Sequence, residues 1–393
     1  MKKASFPSLG VDPRLAALLA GLNIRIPTHI QWRALPSLLT TQDHHFLAAQ
    51  TGTGKTLSYL IPALQRWVKR GQEQVGGNLV VTCNRELVVQ LEHVLSPFKY
   101  SLGFTSAVLY GGQDPAATQE AVKSAPYFLC GTLEKVLSLK AKGEFSLDGI
   151  KQVIVDECDT LIDSGKSAHI SDLLALSLPQ QRLTLVSATF PRRLETLLER
   201  YFTAHPGTVI DKPYLRRVVE QRTHLNLEHI KHEFVPVKDG KETKLLLSLL
   251  GEVSKELKSD HTCILFCNTT QSVDSVLALL LKHRYPALGV HSLTPATERL
   301  AAYEQFRKGE KQYLVCTDMG ARGLDFPATS YVVQVEFAKT ASDYLHRAGR
   351  TGRCYKEGTV VSFYRPSDER LIAHLKSSFE ARSPLKLPSP ALS

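Results

Sequence analysis

Short, nearly unbroken apolar runs alternate along this chain with longer stretches of helical character. Phe46-Leu47-Ala48, Asn78 to Thr82, Phe128 to Cys130, Lys151 to Val155 and Leu183 to Val186 read as strands, and the stretches between them give the strand-helix alternation of a parallel sheet. A second series follows, with Cys263-Ile264-Leu265-Phe266-Cys267, Tyr313-Leu314-Val315-Cys316 and Ser330-Tyr331-Val332-Val333 as its clearest strands. From about Lys212 to Glu233 the chain is polar, carries Arg216-Arg217 and has no strong period. The pattern predicts an α/β chain with a first domain over 1–212, a linker over 213–233, a second domain over 234–379 and a loose tail over 380–393, where the proline-spaced segment Ser383 to Pro390 lacks helical capacity.

Composition agrees with two domains. At 393 residues the chain exceeds what one core normally serves, and 43% hydrophobic content is that of an ordinary globular protein. Lys+Arg of 48 against Asp+Glu of 38 leaves a net charge of +10, which favours polyanion binding and explains surface solubility almost equally well. Seven cysteines lie without metal-site spacing, because a strand pattern rather than a turn separates Cys263 from Cys267. They read as reduced and mostly buried. No stretch reaches the roughly 18 apolar residues of a membrane helix, and Met1-Lys2-Lys3-Ala4-Ser5-Phe6-Pro7 leads into a folded pattern rather than a signal peptide. A soluble chain with no membrane partner is expected, without an obvious transit peptide, although a processed chain would look the same.

Candidate chemistry sharpens the picture. Ala49-Gln50-Thr51-Gly52-Thr53-Gly54-Lys55-Thr56 falls where a strand turns into a helix, the context of a phosphate loop. Gly52 and Gly54 let backbone amides approach phosphate oxygens, Lys55 reaches the β- and γ-phosphates, and the Thr56 hydroxyl can ligate magnesium. The strand Val153-Ile154-Val155 ends in Asp156-Glu157-Cys158-Asp159, bringing two carboxylates to the edge of a parallel sheet. Asp156 then holds Mg2+ through water, and Glu157 orients the water that attacks the γ-phosphate. An acidic pair after a strand also occurs as a plain helix cap; the phosphate loop is what disfavours that reading. Far downstream, Arg347, Arg350 and Arg353 surround Gly349 and Gly352, and guanidinium groups match phosphate geometry. A solvated basic turn is the alternative, made unattractive by Ser187-Ala188-Thr189 and Thr317 to Asp325 in the same chain. These segments together describe an ATP site shared between two domains.

With these motifs in this order, the chain resembles the DEAD-box family of ATP-dependent RNA helicases, from Phe6 to at least Arg353. The resemblance implies two tandem RecA-like domains, each a mainly parallel sheet flanked by helices, and an RNA-dependent ATPase that uses ATP and Mg2+. Pro27-Thr28-His29-Ile30-Gln31 is similar to the family's adenine-recognition segment, with Gln31 on the adenine edge and Phe6 stacking on the base. It further implies Arg350 and Arg353 as arginine fingers, Asp325 on the ribose, and Asp159, Ser187, Thr189 and His346 as a network coupling the carboxylates to domain closure. Thr51 and Thr53 complete the nucleotide loop.

The RNA side departs from the family pattern. Cys83-Asn84-Arg85-Glu86-Leu87 stands where Pro-Thr-Arg-Glu-Leu is usual, and Thr132-Leu133-Glu134-Lys135 replaces Thr-Pro-Gly-Arg, so Lys135 keeps a point charge but no bidentate fork. Arg85, Gly111, Gly112, Thr132, Lys135, Gln271, Thr317, Asp318 and Arg322 form the implied RNA-contact set. Cys158 replaces the alanine that names the family with another small, commonly buried side chain. The implied partner is single-stranded or locally duplex RNA, clamped and bent so that short duplexes separate. A DNA helicase or translocase and a weakly catalytic ribonucleoprotein scaffold are the competing readings. Asp159 to Asp163 and Asp343 to Arg350 look somewhat like organellar members that assist ribosome assembly. Ribosomal RNA and assembly proteins in a mitochondrial or other organellar matrix follow as the expected setting, with cytoplasm or nucleus as the alternative.

Overall fold

Strands that are apolar at every position need cover on both faces. The computed structural model describes residues 5–49, 52–70, 77–163, 167–176, 181–188, 196, 215–219, 230–238, 240–257, 261–321, 326, 329–352 and 357–380. The first sheet contains β1 (His44–Ala48), β2 (Gly77–Thr82), β3 (Ser106–Leu109), β4 (Phe128–Thr132), β5 (Ile150–Val155), β6 (Arg182–Ser187) and β7 (Leu215–Val219), in the order β3-β4-β2-β5-β6-β1-β7. All its described pairings are parallel. Helices α1 (Pro13–Gly21), α2 (His29–Thr40), α3 (Lys55–Arg70), α4 (Arg85–Leu102), α5 (Pro115–Lys123), α6 (Leu133–Ala141), α7 (Cys158–Asp163) and α8 (Ser167–Leu176) flank it. The strands feed two cores by strict alternation: Leu47, Val80, Cys130, Ile154 and Val186 enter one, Ala48, Val81, Leu129, Val155 and Leu185 the other.

The second sheet repeats the plan with β8 (Ile230–Pro236), β9 (Thr262–Phe266), β10 (Ala287–Val290), β11 (Tyr313–Cys316), β12 (Thr329–Gln334) and β13 (Gly358–Tyr364), ordered β10-β11-β9-β12-β13-β8 and parallel throughout its described pairings. Its helices are α9 (Glu242–Glu256), α10 (Thr270–Lys282), α11 (Ala296–Arg307), α12 (Asp318–Ala321), α13 (Ala341–Ala348) and α14 (Glu369–Glu380). The chain forms two compact units, Met1–Ala49 with Thr53–Glu220, and Gln50–Gly52 with Gln221–Ser393.

One boundary differs from expectation. The stretch read as linker carries β7, which extends the first sheet by pairing with β1 from His44↔Leu215 to Ala48↔Val219. Arg33 Nη1 anchors it by donating to Val219 O at 2.7 Å. Arg216 and Arg217 are exposed on this edge strand and Arg216 pairs with Asp43, so charge occupies an edge that other chains could otherwise extend. The linker expectation is thereby corrected: a strand occupies its first part, and β8 begins at Ile230 rather than at 234. Residues 220–229 and the tail from 381 onward lie outside the described residues. Among the described residues, no helix is long and apolar enough to cross a membrane. Cys130, Cys158, Cys263, Cys267 and Cys316 are buried thiols, and Cys83 is a half-buried one.

Candidate functional site

The C-terminal ends of β1, β5 and β6, neighbours in the first sheet, carry the nucleotide-side residues to one edge. β1 leads into the glycine turn that opens α3, where Gly52 and Gly54 have φ of 80° and 91°. These left-handed conformations are open to glycine at little cost. A Cβ on Gly54 would come within 2.5 Å of Gln31 Nε2, because that amide donates to Gly54 O at 3.0 Å while Gln31 Oε1 accepts the Thr28 N–H at 3.0 Å. Gln31 thus closes the capping box of α2 and props the phosphate loop, leaving one amide proton and one lone pair for a base. Lys55 is buried and donates Nζ to Ala49 O at 2.6 Å, spanning the loop it is expected to serve. Phe6, expected against a base, is 2% exposed and packs in the core of the first unit.

Asp156 and Glu157 follow β5 directly. Asp156 Oδ2 accepts the Tyr59 hydroxyl at 2.7 Å and Oδ1 accepts the Glu157 N–H at 2.9 Å. Burial, and then the charge of Glu157, push the Asp156 pKa up, against the Tyr59 hydrogen bond and the Lys55 charge. Glu157 has φ of 50°, a left-handed conformation that costs a non-glycine residue on the order of 1–3 kcal/mol and concentrates at functional positions. Asp159 is fully buried; its Oδ1 accepts the Thr160 N–H at 3.0 Å and its Oδ2 the Ala188 N–H at 3.1 Å, tying α7 to the end of β6 beside buried Ser187. Burial, and then the Asp159 charge, push the Cys158 thiol far above its usual range, so the residue serves as a small core side chain.

Magnesium fits this donor set. A hydroxyl and a carboxylate, Thr56 and Asp156, are hard oxygen ligands, and no cluster of three or more His, Cys, Asp or Glu that could form an all-protein cage occurs among the described residues. Mg2+ ordinarily takes one or two carboxylates and completes its shell with water and substrate phosphate.

The other half of the same edge carries the expected RNA residues. β2, β4 and β3 are adjacent and lead respectively to Arg85, to Thr132 and Lys135, and to Gly111 and Gly112. Arg85 Cζ lies 4.3 Å over the Tyr110 ring, which brings its guanidinium beside the glycine pair. Asn84 caps α4 by accepting the Leu87 N–H at 2.8 Å, so the departure at this position retains a capping side chain. Gly112 has φ of 79° and is exposed with Gly111; Thr132 is the N-cap residue of α6, and Lys135 is half-buried in its first turn.

In the second unit, Gln271 is exposed in the first turn of α10, and Thr317 and Asp318 follow β11. Asp318 is half-buried, and Arg347 donates to both its oxygens at 2.7 Å. Arg347 is 1% exposed and also bonds Asn268 Oδ1 at 2.6 Å and Glu336 O at 2.7 Å, which makes it the hub of three strand ends. Arg350 is equally buried, its Nε donating to His346 O at 3.0 Å, and His346 is 5% exposed. A finger role for Arg350 requires its remaining nitrogens or a change of position. Thr51, Thr189, Arg322, Asp325 and Arg353 lie outside the described residues. Sequence reasoning overlooked Tyr59, Tyr110 and the pairing of Arg347; Tyr59, one helical turn after Lys55, carried the only spacing signal.

Comparison with known proteins agrees with this geometry. Residues 28–197 match the family described as DEAD/DEAH box helicase, and residues 241–355 match the helicase conserved C-terminal domain. The chain is 32% identical to the probable ATP-dependent RNA helicase DDX28 of Homo sapiens, over 98% of this chain and 74% of that protein, and 31% identical to the Mus musculus protein of the same name with the same coverage. The fold matches that of S. cerevisiae Dbp5 bound to RNA and ADP BeF3 with a TM-score of 0.82, at 23% identity, over 95% of this chain and 93% of that one. Two parallel sheets of matching fold, a phosphate loop and an acidic strand end in order, and a relative aligned over nearly the whole chain place this protein in the DEAD-box family of ATP-dependent RNA helicases.

Proposed function

We propose that this ATP-dependent RNA helicase grips single-stranded RNA by its backbone, separates short duplexes locally or remodels ribonucleoprotein, and resets by hydrolysing ATP to ADP and phosphate. The observation that carries this reading is the division of one sheet edge, with β1, β5 and β6 supplying nucleotide residues and β2, β4 and β3 supplying glycines and cations suited to RNA phosphates. Such contacts address sugar and phosphate rather than base edges, so sequence preference is weak.

Within the nucleotide half, Lys55 exchanges the Ala49 carbonyl for phosphate oxygens, and Glu157 is held in a tight turn from which its carboxylate can orient an attacking water. Thr56 and Asp156 hold the magnesium ion, which supplies neutralisation of phosphate charge. Asp159, through the Ala188 amide, relays the state of the carboxylate turn to Ser187 and Thr189. Arg350, Arg353 and Asp325 complete the nucleotide contacts when the two domains close, and Gln31 and Phe6 address the adenine. Strand release from RNA duplexes of about one turn and of several turns tests the reading. ATP-dependent release confined to the short duplex is expected; equally fast release of the long one would replace local separation with translocation.

For biological setting, we infer organellar ribosome assembly, with ribosomal RNA and assembly proteins as partners. The support is the likeness of Asp159 to Asp163 and Asp343 to Arg350 to organellar family members. Fractionation of cells expressing the chain should place it in the mitochondrial matrix with large-subunit precursors; exclusive nuclear or cytoplasmic recovery would refute the setting and leave the enzyme reading intact.

A further inference from the structure

Tyr59 hydrogen-bonds one of the side chains expected to face magnesium. It lies on α3, one turn beyond Lys55, and its side chain is fully buried in the core of the first unit. The phenol donates to Asp156 Oδ2 at 2.7 Å. Asp156 Oδ1 is meanwhile held by the Glu157 amide at 2.9 Å, so the carboxylate is gripped on both oxygens. A ring alone would fill the same core space; only the hydroxyl makes the hydrogen bond to Asp156.

We propose that Tyr59 is a positioning residue for magnesium, its hydroxyl setting the orientation of the Asp156 carboxylate. This rests on the reading of Thr56 and Asp156 as the metal-side residues. Outer partners of metal ligands typically change metal affinity by about 10- to 100-fold. The test uses the full chain as wild type, Tyr59→Phe, Asp156→Asn and the double variant. Binding of a fluorescent ATP analogue is measured with excess chelator and across a magnesium titration, alongside the magnesium dependence of kcat.

Tyr59→Phe should raise the half-saturating magnesium concentration by about 10-fold while nucleotide affinity in chelator stays at the wild-type value. Asp156→Asn should abolish the magnesium enhancement, and adding Tyr59→Phe to it should change nothing further, because the phenol acts through that carboxylate. Wild-type magnesium dependence in Tyr59→Phe, with Asp156→Asn impaired, would overturn the proposal alone. An equal loss of affinity in chelator would also overturn it, by showing that the hydroxyl supports loop packing. Wild-type magnesium dependence in Asp156→Asn would overturn the underlying reading and the proposal with it.

Discussion

At Gly54 a backbone requirement and a side-chain contact meet on one atom. Its φ of 91° excludes an ordinary side chain, and the Gln31 amide occupies the place of the missing Cβ. Gly54→Ala should therefore lower stability by about 1–2 kcal/mol from backbone strain and weaken nucleotide binding by at least roughly tenfold, about 1.4 kcal/mol of lost interaction. Adding Gln31→Ala should recover part of the stability loss in denaturant titrations and none of the φ strain. In the second unit, Asp318→Ala leaves the Arg347 guanidinium buried without its carboxylate. A loss of about 3–5 kcal/mol is expected in equilibrium unfolding of that unit; a change under 1 kcal/mol would mean that Asn268, Gln334 and Glu336 satisfy the arginine alone. Lys55, Asp156 and Glu157 were legible in the sequence because residue type and spacing carry their chemistry. Tyr59, Tyr110 and Asp318 owe their roles to partners 97, 25 and 29 positions away, and apart from the place of Tyr59 one turn after Lys55 no local pattern announces such contacts.

At the scale of elements, the buried strands were readable and the marginal ones were not. β2, β5, β6, β9 and β11 are buried along nearly their whole length because helices cover both faces. β7 escaped because two adjacent arginines interrupt its pattern and only its inner side pairs, as an edge strand permits. β3 and β10 are four residues each and half-buried, too short for a period to emerge. Helix starts depend on single side chains in the same way. Asn84→Ala removes the cap of α4 and should cost about 1 kcal/mol, whereas Asn84→Thr should be close to neutral. Chemical denaturation of the three proteins decides whether the unusual residue is a capping exchange; an equal loss in both variants would show that Asn84 has a further role.

At the scale of the whole molecule, each unit holds a histidine whose neutral form burial favours. Burial pushes His45 and His232 down to about 4, with Ser37 and Tyr344 as their respective hydroxyl partners. An unfolded histidine titrates near 6.5, so the unfolded chain binds more protons between these values. The stabilisation is complete above pH 6.5 and is lost as pH falls through about 4. His232→Phe should flatten the acid loss of thermal stability across this window; an unchanged slope would assign acid sensitivity elsewhere.

The two-domain plan was legible because each half repeats the strand-helix rhythm, while the boundary was not, since β7 lies beyond the last strong apolar run. The functional claim concerns the same scale, because it requires nucleotide chemistry and RNA contact to act as one cycle. The decisive measurement is ATP hydrolysis by the purified chain alone, with single-stranded RNA and with DNA of the same sequence, alongside Glu157→Gln. Stimulation by RNA and not by DNA, lost in Glu157→Gln while ATP still binds, is the predicted result. Equal stimulation by DNA would contradict an RNA-specific enzyme, and turnover surviving in Glu157→Gln would contradict the assignment of the water-orienting residue.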